Sequence, residues 1–279
     1  MAIDYEAQYN NRALVPEHPE SFARWIRDAE FYRADMLKAD RAELGLAYGD
    51  TPRQYVDLFH AADRAAPLAL FIHGGYWRSL DPSMFSHMAR GLNAHGVSVA
   101  MVGYDLCPNV SIADIITQMR RACVFLWQRL NRPMLACGHS AGGHLAAALV
   151  GTDWPALYPK APANLTPAGY AISGVFDLTP LVNLSQNQDL QLTADDARKV
   201  SPVFWPPPAG RVLDAVAGAL ESAEFRRQSK IIADAWQGAA KTRYEEIAGA
   251  NHFTICDPLT DPQSAMVARV VELARGVTA

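Results

Sequence analysis

The order of apolar segments predicts an α/β protein with a mostly parallel central sheet and helices on both faces. Three observations carry that expectation. Runs such as Leu68-Ala69-Leu70-Phe71-Ile72 are apolar without alternation, as strands covered on both sides must be. They alternate with segments of helical periodicity, of which 111–130 is the clearest. The chain has 279 residues, 50% hydrophobic and 19% charged, enough to bury a large core in one domain over 1–279.

Residues 19–44 read as a helical arm, with Phe22, Trp25, Ile26 and Ala29 at helical spacing, stopped by Gly45 and Gly49-Asp50-Thr51-Pro52. The arm as a whole occupies about 1–50. Tyr55–Phe59 and Leu68–Ile72 are strands, 82–95 is a helix closed by Gly96, and Val97–Val102 is a buried strand. The helix 111–130 stops at Asn131 and Pro133. Met134–Cys137 is a strand and Ala141–Val150 a helix rich in small residues. Strands follow at 169–173, 212–217 and 243–247, and helices at 222–239 and 261–275. Two segments break the alternation. Residues 152–167 carry four prolines and read as a surface loop. Residues 176–210 form a longer, lid-like insertion, with a short helix opened by Thr193-Ala194-Asp195-Asp196 and a close at Trp205-Pro206-Pro207-Pro208.

Charge narrows the partners. Lys+Arg total 25 against 29 Asp+Glu, a net charge of −4, so no basic excess exists to displace counterions from nucleic acid. No apolar stretch approaches the roughly 20 residues of a membrane span. The start, Met1-Ala2-Ile3-Asp4-Tyr5-Glu6, has neither the basic nor the apolar region of a secretory signal. The four cysteines (107, 123, 137 and 256) form no C-x-x-C pair. A reducing, cytoplasmic setting is expected. The histidines and cysteines show no zinc-like spacing.

Chemistry concentrates in three strings. Gly138-His139-Ser140-Ala141-Gly142 follows a buried strand and opens a small-residue helix. That context distinguishes a nucleophile elbow from a glycine-rich connector with an incidental serine. Glycines two before and two after Ser140 let strand and helix approach, and the helix N-terminus favours developing negative charge. His73-Gly74-Gly75-Tyr76-Trp77 leaves the strand 68–72, 67 residues before Ser140. Such a loop supplies backbone N–H groups to an oxyanion, here from Gly75 and Tyr76 together with Ala141. Gly249-Ala250-Asn251-His252-Phe253 follows the last strand and places His252 as general base, because a serine hydroxyl does not attack unaided. His73 instead reads as a support for the glycine loop. The acid that orients the base should follow a strand between serine and histidine. Glu221 is the first candidate, with Asp214 and Glu224 behind it.

Together with Ser173-Gly174-Val175-Phe176-Asp177-Leu178 and the stretch from Glu221 to Ser229, these strings resemble the kynurenine formamidase (arylformamidase) branch of the α/β-hydrolases, close to hormone-sensitive-lipase-like esterases. The resemblance runs from about residue 55 to the C-terminus. It implies an α/β-hydrolase fold and a serine hydrolase with Ser140 as nucleophile, His252 as base, Glu221 as acid, and Gly75, Tyr76 and Ala141 as oxyanion donors. It implies no metal and no organic cofactor. The branch carries aspartate where this chain has Glu221, and lipase-like relatives carry a third glycine where it has Tyr76. The implied substrate is a small-molecule aryl formamide, cleaved to formate and an aniline. A carboxylesterase for short-chain, aryl or carbamate esters is the alternative, and a thioesterase a weaker one. A catalytically silent receptor is the remote reading, against which the presence of His252 speaks. The expected pocket comprises Gly74, Tyr76, Trp77, His139, Phe204 and Trp205. Monomer and homodimer are both open.

Overall fold

The computed structural model describes residues 3–278. Its centre is an eight-stranded sheet of β1 (Ala42–Ala47), β2 (Tyr55–Phe59), β3 (Leu68–Ile72), β4 (Ser98–Val102), β5 (Met134–His139), β6 (Ala168–Ile172), β7 (Val212–Gly218) and β8 (Lys241–Ile247). The spatial order is β1-β2-β4-β3-β5-β6-β7-β8. β2 is antiparallel to both of its neighbours, and β3 to β8 run parallel. β3, β4, β5 and β6 are buried along their whole length, as their unalternating apolar sequences require. This is the α/β-hydrolase architecture.

Helices cover both faces. The first stretch holds α1 (Tyr5–Tyr9), α2 (Asn11–Leu14) and α3 (His18–Lys38). A 3₁₀ segment (Pro82–Ala89) leads into α4 (Arg90–Ala94), and α5 (Ile112–Leu130), α6 (Ala141–Val150) and α7 (Trp154–Leu157) follow. Two short helices, α8 (Asn187–Leu190) and α9 (Ala194–Lys199), lie between β6 and β7, and α10 (Ala223–Trp236) and α11 (Ala265–Thr278) complete the set. Alternate residues of β3 divide the core. Leu68, Leu70 and Ile72 join Ile115, Met119, Leu145, Leu149 and Trp236, from α5, α6 and α10, on one face. Ala69 and Phe71 join Trp25, Tyr32, Phe85, Val267 and Val270, from α3, the 3₁₀ segment and α11, on the other. Among the described residues no helix is long and apolar enough to cross a membrane.

The structure amends the expected elements in several places, among them the 152–167 loop, which holds α7 with Trp154 buried, and the helix expected over 222–239, which ends at Trp236. The helix expected over 19–44 ends at Lys38, where Asp40 takes a left-handed φ of 55°, and 42–47 is instead the edge strand β1. Its sequence, Ala-Glu-Leu-Gly-Leu-Ala, lacks the β-branched residues that mark strands. Pairing with β2 imposes the extended form, with an irregularity at Gly45 (φ 68°). The segment 82–95 is 3₁₀ for its first eight residues and α-helical only afterwards. The last helix is preceded by a 3₁₀ stretch, Thr254–Thr260, and starts at Ala265. The 176–210 segment holds more helix than the single turn at Thr193, although that turn carries the expected capping box with Asp196.

Candidate active site

Ser140 stands between β5 and α6 with φ 58° and ψ −119°, a sparsely populated conformation held by its surroundings. Its N–H donates to the Ile172 carbonyl at 2.8 Å. Glycine is obligatory on either side. A Cβ on Gly142 would lie 1.9 Å from the Ile72 carbonyl oxygen, and one on Gly138 would lie 2.2 Å from the Gly142 oxygen. The elbow therefore packs against the end of β3, where the Gly74 loop begins. A Cβ on Gly74 would sit 2.9 Å from Cβ of Ser140, so that loop passes directly over the serine.

The loop turns by three consecutive left-handed residues, Gly75 (φ 109°), Tyr76 (52°) and Trp77 (54°). The Gly75 carbonyl accepts from Arg78 N–H and the Ser79 hydroxyl. Among the described residues the N–H groups of Gly75, Tyr76 and Ala141 donate to no protein acceptor, which leaves them free for a ligand oxygen. His73 braces the loop from below. Its Nδ1–H donates to the Gly74 carbonyl at 2.7 Å, and its ring stacks 4.3 Å from Tyr104, whose hydroxyl donates to the His73 carbonyl.

His252 Nε2 lies 3.1 Å from Ser140 Oγ, and His252 Nδ1 lies 2.6 Å from Glu221 Oε2. Each position has a local cause. Asn251 Oδ1 accepts the N–H groups of Phe253 and Thr254, and Thr254 Oγ1 accepts that of Asn251, a side-chain-closed turn that presents His252. His139 Nε2–H donates to the His252 carbonyl at 2.8 Å, and Phe225 packs on the His252 ring at 4.6 Å between centroids. The second Glu221 oxygen accepts from the Gly218 N–H (2.6 Å) and the Ser173 hydroxyl (2.5 Å). The Ala219 and Leu220 N–H groups donate to the carbonyls of Ile247 and Ala250, tying the loop of Glu221 to the loop of His252.

Of the three carboxylates weighed from sequence, Glu221 is the one that meets His252. Glu224 is held by Arg227 and by the Tyr9 hydroxyl. Asp214 is enclosed by Arg269 and Arg243.

The cleft above Ser140 holds about 590 Å³ of empty space counted out to open solvent. Gly74, Gly75, Tyr76, His139 and His252 line it. Trp77, Phe204 and Trp205 do not, contrary to expectation. The left-handed turn carries Trp77 into the core, fully buried and edge-on to His144 at 5.0 Å. Phe204 lies 40% exposed beneath the Arg198 guanidinium, and the Trp205 indole N–H donates to the Lys199 carbonyl. The aromatic wall is built instead from Tyr9, Phe22, Trp25 and Phe253. Phe22 and Trp25 were legible only as the apolar stripe of a helix, and Tyr9 carried no signal at all.

Burial sets the charge of the neighbouring histidines. His73 and His144 beside the site, and His87 under α3, are each pushed down to about 4, because the loss of solvation on burial outweighs the pull of Asp81 on His73 and of Asp28 on His87. His139 is driven well below 6.5 by burial first and by the adjoining His252 second, so it stands neutral as a donor. For His73, His87 and His144 the unfolded chain takes up the proton near pH 6.5, whereas the folded one does so only near 4. Stability is therefore fully present above pH 6.5 and falls on acidification towards 4, by about 1.4 kcal/mol per pH unit for each such histidine at most. Urea midpoints followed from pH 7 to 4 should drop steeply in this window, and His144→Gln should flatten the slope. A midpoint independent of pH across the window would contradict neutral burial.

The BD-FAE family profile matches residues 56–203, just over half of the chain. Kynurenine formamidase of Salmo salar is 31% identical over 78% of this chain and 77% of its own. Among solved structures, a candidate thioesterase of a Silicibacter species superposes with a TM-score of 0.86 at 33% identity, covering 96% of this chain and 99% of the other. An esterase of the bacterial hormone-sensitive lipase family shares the fold with a TM-score of 0.67 at 20% identity, over 93% of this chain and 99% of the other. The chain thus belongs to the BD-FAE family and, among α/β-hydrolases, to the branch of the kynurenine formamidases, hydrolases of esters and formamides.

Proposed function

We propose that this protein is a serine hydrolase of aryl formamides, releasing formate and an aniline such as kynurenine by two-step acyl transfer. The observation that carries the reading is the chain of contacts from Glu221 through His252 to Ser140 on the floor of an aromatic cleft. Ser140 Oγ attacks the formyl carbon while His252 Nε2 takes its proton. Glu221 fixes the tautomer with the proton on Nδ1 and balances the imidazolium that forms. The negative oxygen is received by the N–H groups of Gly75, Tyr76 and Ala141, each worth about 2.7–4 kcal/mol at the transition state by analogy with other serine hydrolases. His252 then hands its proton to the departing aniline nitrogen. Water, deprotonated by the same histidine, attacks the formyl ester and frees Ser140.

Two features favour a small acyl group and an aryl leaving group. The Gly74 backbone lies so close over Ser140 that even an added methyl group would collide with the serine, leaving little room on that side for a long acyl chain. Phe22, Trp25 and Phe253 supply aromatic faces and edges for a ring.

Steady-state hydrolysis of N-formyl-L-kynurenine beside p-nitrophenyl acetate tests the reading. We expect a kcat/KM for the formamide in the usual enzyme range of about 10⁴–10⁸ M⁻¹s⁻¹, well above that of the ester. Good ester turnover with negligible formamide turnover would sink the formamidase assignment and make the protein a carboxylesterase with the same catalytic apparatus.

A further inference from the structure

Two amide side chains that line the cleft, Asn11 and Gln186, each carry a buried polar atom without a partner among the described residues. Asn11 is 6% exposed, and its Nδ2 donates to no acceptor among the described residues. Gln186 is 8% exposed, and its Oε1 accepts from no donor there. The orientation of the Gln186 amide is not arbitrary, because its Nε2 faces the Tyr9 carbonyl at 3.4 Å and only a donor suits that contact. The oxygen is therefore the free end. Buried groups of this kind are nearly always satisfied, so two such amides in one cleft call for a partner from outside the chain. The same cleft also carries a cation. Arg12 lines the same cleft, has no carboxylate within ion-pair reach among the described residues, and rests 5.7 Å from the Phe22 ring centroid.

The three groups are held in place. The Tyr9 carbonyl accepts from the Tyr76 hydroxyl at 2.6 Å, and the Tyr9 hydroxyl is bonded to Glu224 and Gln228. Asn10 then caps the short turn that carries Asn11 and Arg12. A cation beside an amide donor suits a carboxylate, and an unfilled carbonyl oxygen suits an ammonium.

We propose that Arg12, Asn11 and Gln186 form a subsite for the zwitterionic α-amino-acid end of the substrate, with Arg12 and Asn11 Nδ2 on the carboxylate and Gln186 Oε1 on the ammonium. This rests on the aryl-formamide reading and adds to it the feature that separates an aromatic amino acid from a plain anilide.

Calorimetric binding of L-kynurenine and of 2-aminoacetophenone, which lacks the amino-acid end, tests it on the full chain. L-Kynurenine should bind at least about tenfold more tightly. Arg12→Gln should erase most of that ratio, and Arg12→Lys should restore part of it. A third ligand, 4-(2-aminophenyl)-4-oxobutanoate, keeps the carboxylate and lacks the ammonium, and its affinity should fall between the two. Equal affinities in the native protein, or an unchanged ratio in Arg12→Gln, would overturn the subsite. A parallel weakening of all three ligands would reduce Arg12 to a structural role and overturn it as well. Binding is read without turnover. A protein that preferred kynurenine here yet hydrolysed no formamide would refute the formamidase reading while leaving the subsite standing.

Discussion

Replacing Ser140 by alanine should reduce kcat by about 10⁶-fold, or roughly 8 kcal/mol of transition-state stabilisation, while the fold melts where the native protein does. The two halves of this expectation have separate causes. Among the described residues the lost hydroxyl is the one side-chain partner that His252 Nε2 meets, at 3.1 Å. The backbone strain at φ 58° is the same for alanine as for serine, because both carry a Cβ. The side chain makes one hydrogen bond, and His252 keeps its second partner, Glu221, when that bond is gone. Paired melting curves and single-turnover assays on N-formyl-L-kynurenine would decide the matter. A variant that kept a hundredth of the native rate would mean that Ser140 is not the nucleophile.

Glu221→Gln should lower kcat by about 10⁴-fold, the scale seen when the orienting carboxylate of a serine triad becomes an amide. The amide can still accept from the Gly218 N–H and Ser173 hydroxyl with its oxygen, but then turns an NH₂ group towards His252 Nδ1. The histidine must give up its Nδ1–H to meet that donor, which places the proton on Nε2, where the base needs a lone pair. Glu224→Gln should leave kcat within about threefold, because its carboxylate answers to Arg227 and Tyr9 rather than to His252. Its effect should appear in stability instead, since it loosens the bond that anchors Tyr9. Should Glu224→Gln prove the more damaging of the two in kcat, the acid would have to be reassigned.

The parts legible in the sequence are those determined by near neighbours. β3, β4 and β5 show as unbroken apolar runs because both faces of the central strands are covered. The elbow shows because close packing of strand on helix leaves room only for hydrogen at Gly138 and Gly142. The cleft wall was illegible for the opposite reason. Tyr9 meets Glu224 across 215 residues of chain, and no local pattern records such a contact. Phe22 and Trp25 announce an apolar helical face, but the same periodicity serves whether that face covers the sheet or overhangs the serine. Trp77, Phe204 and Trp205 misled because aromatic residues near a motif are as often packing as recognition. The backbone turn at Trp77, which decides between the two, depends on φ values that its own residue type does not favour. β1 escaped notice because a short edge strand of alanine and leucine looks like the continuation of a helix.

The hydrogen bond from His139 to the His252 carbonyl has a further consequence. His139 is covalently next to Ser140, so one residue both adjoins the serine and holds the main chain at His252. The loops of Ser140 and His252 follow β5 and β8, which are not adjacent in the sheet. The bond joins the two loops directly, so the 3.1 Å spacing between hydroxyl and imidazole is set by a contact beside it as well as by the intervening strands. Register between the reacting atoms is preserved by a shared anchor, without either loop having to be stiff.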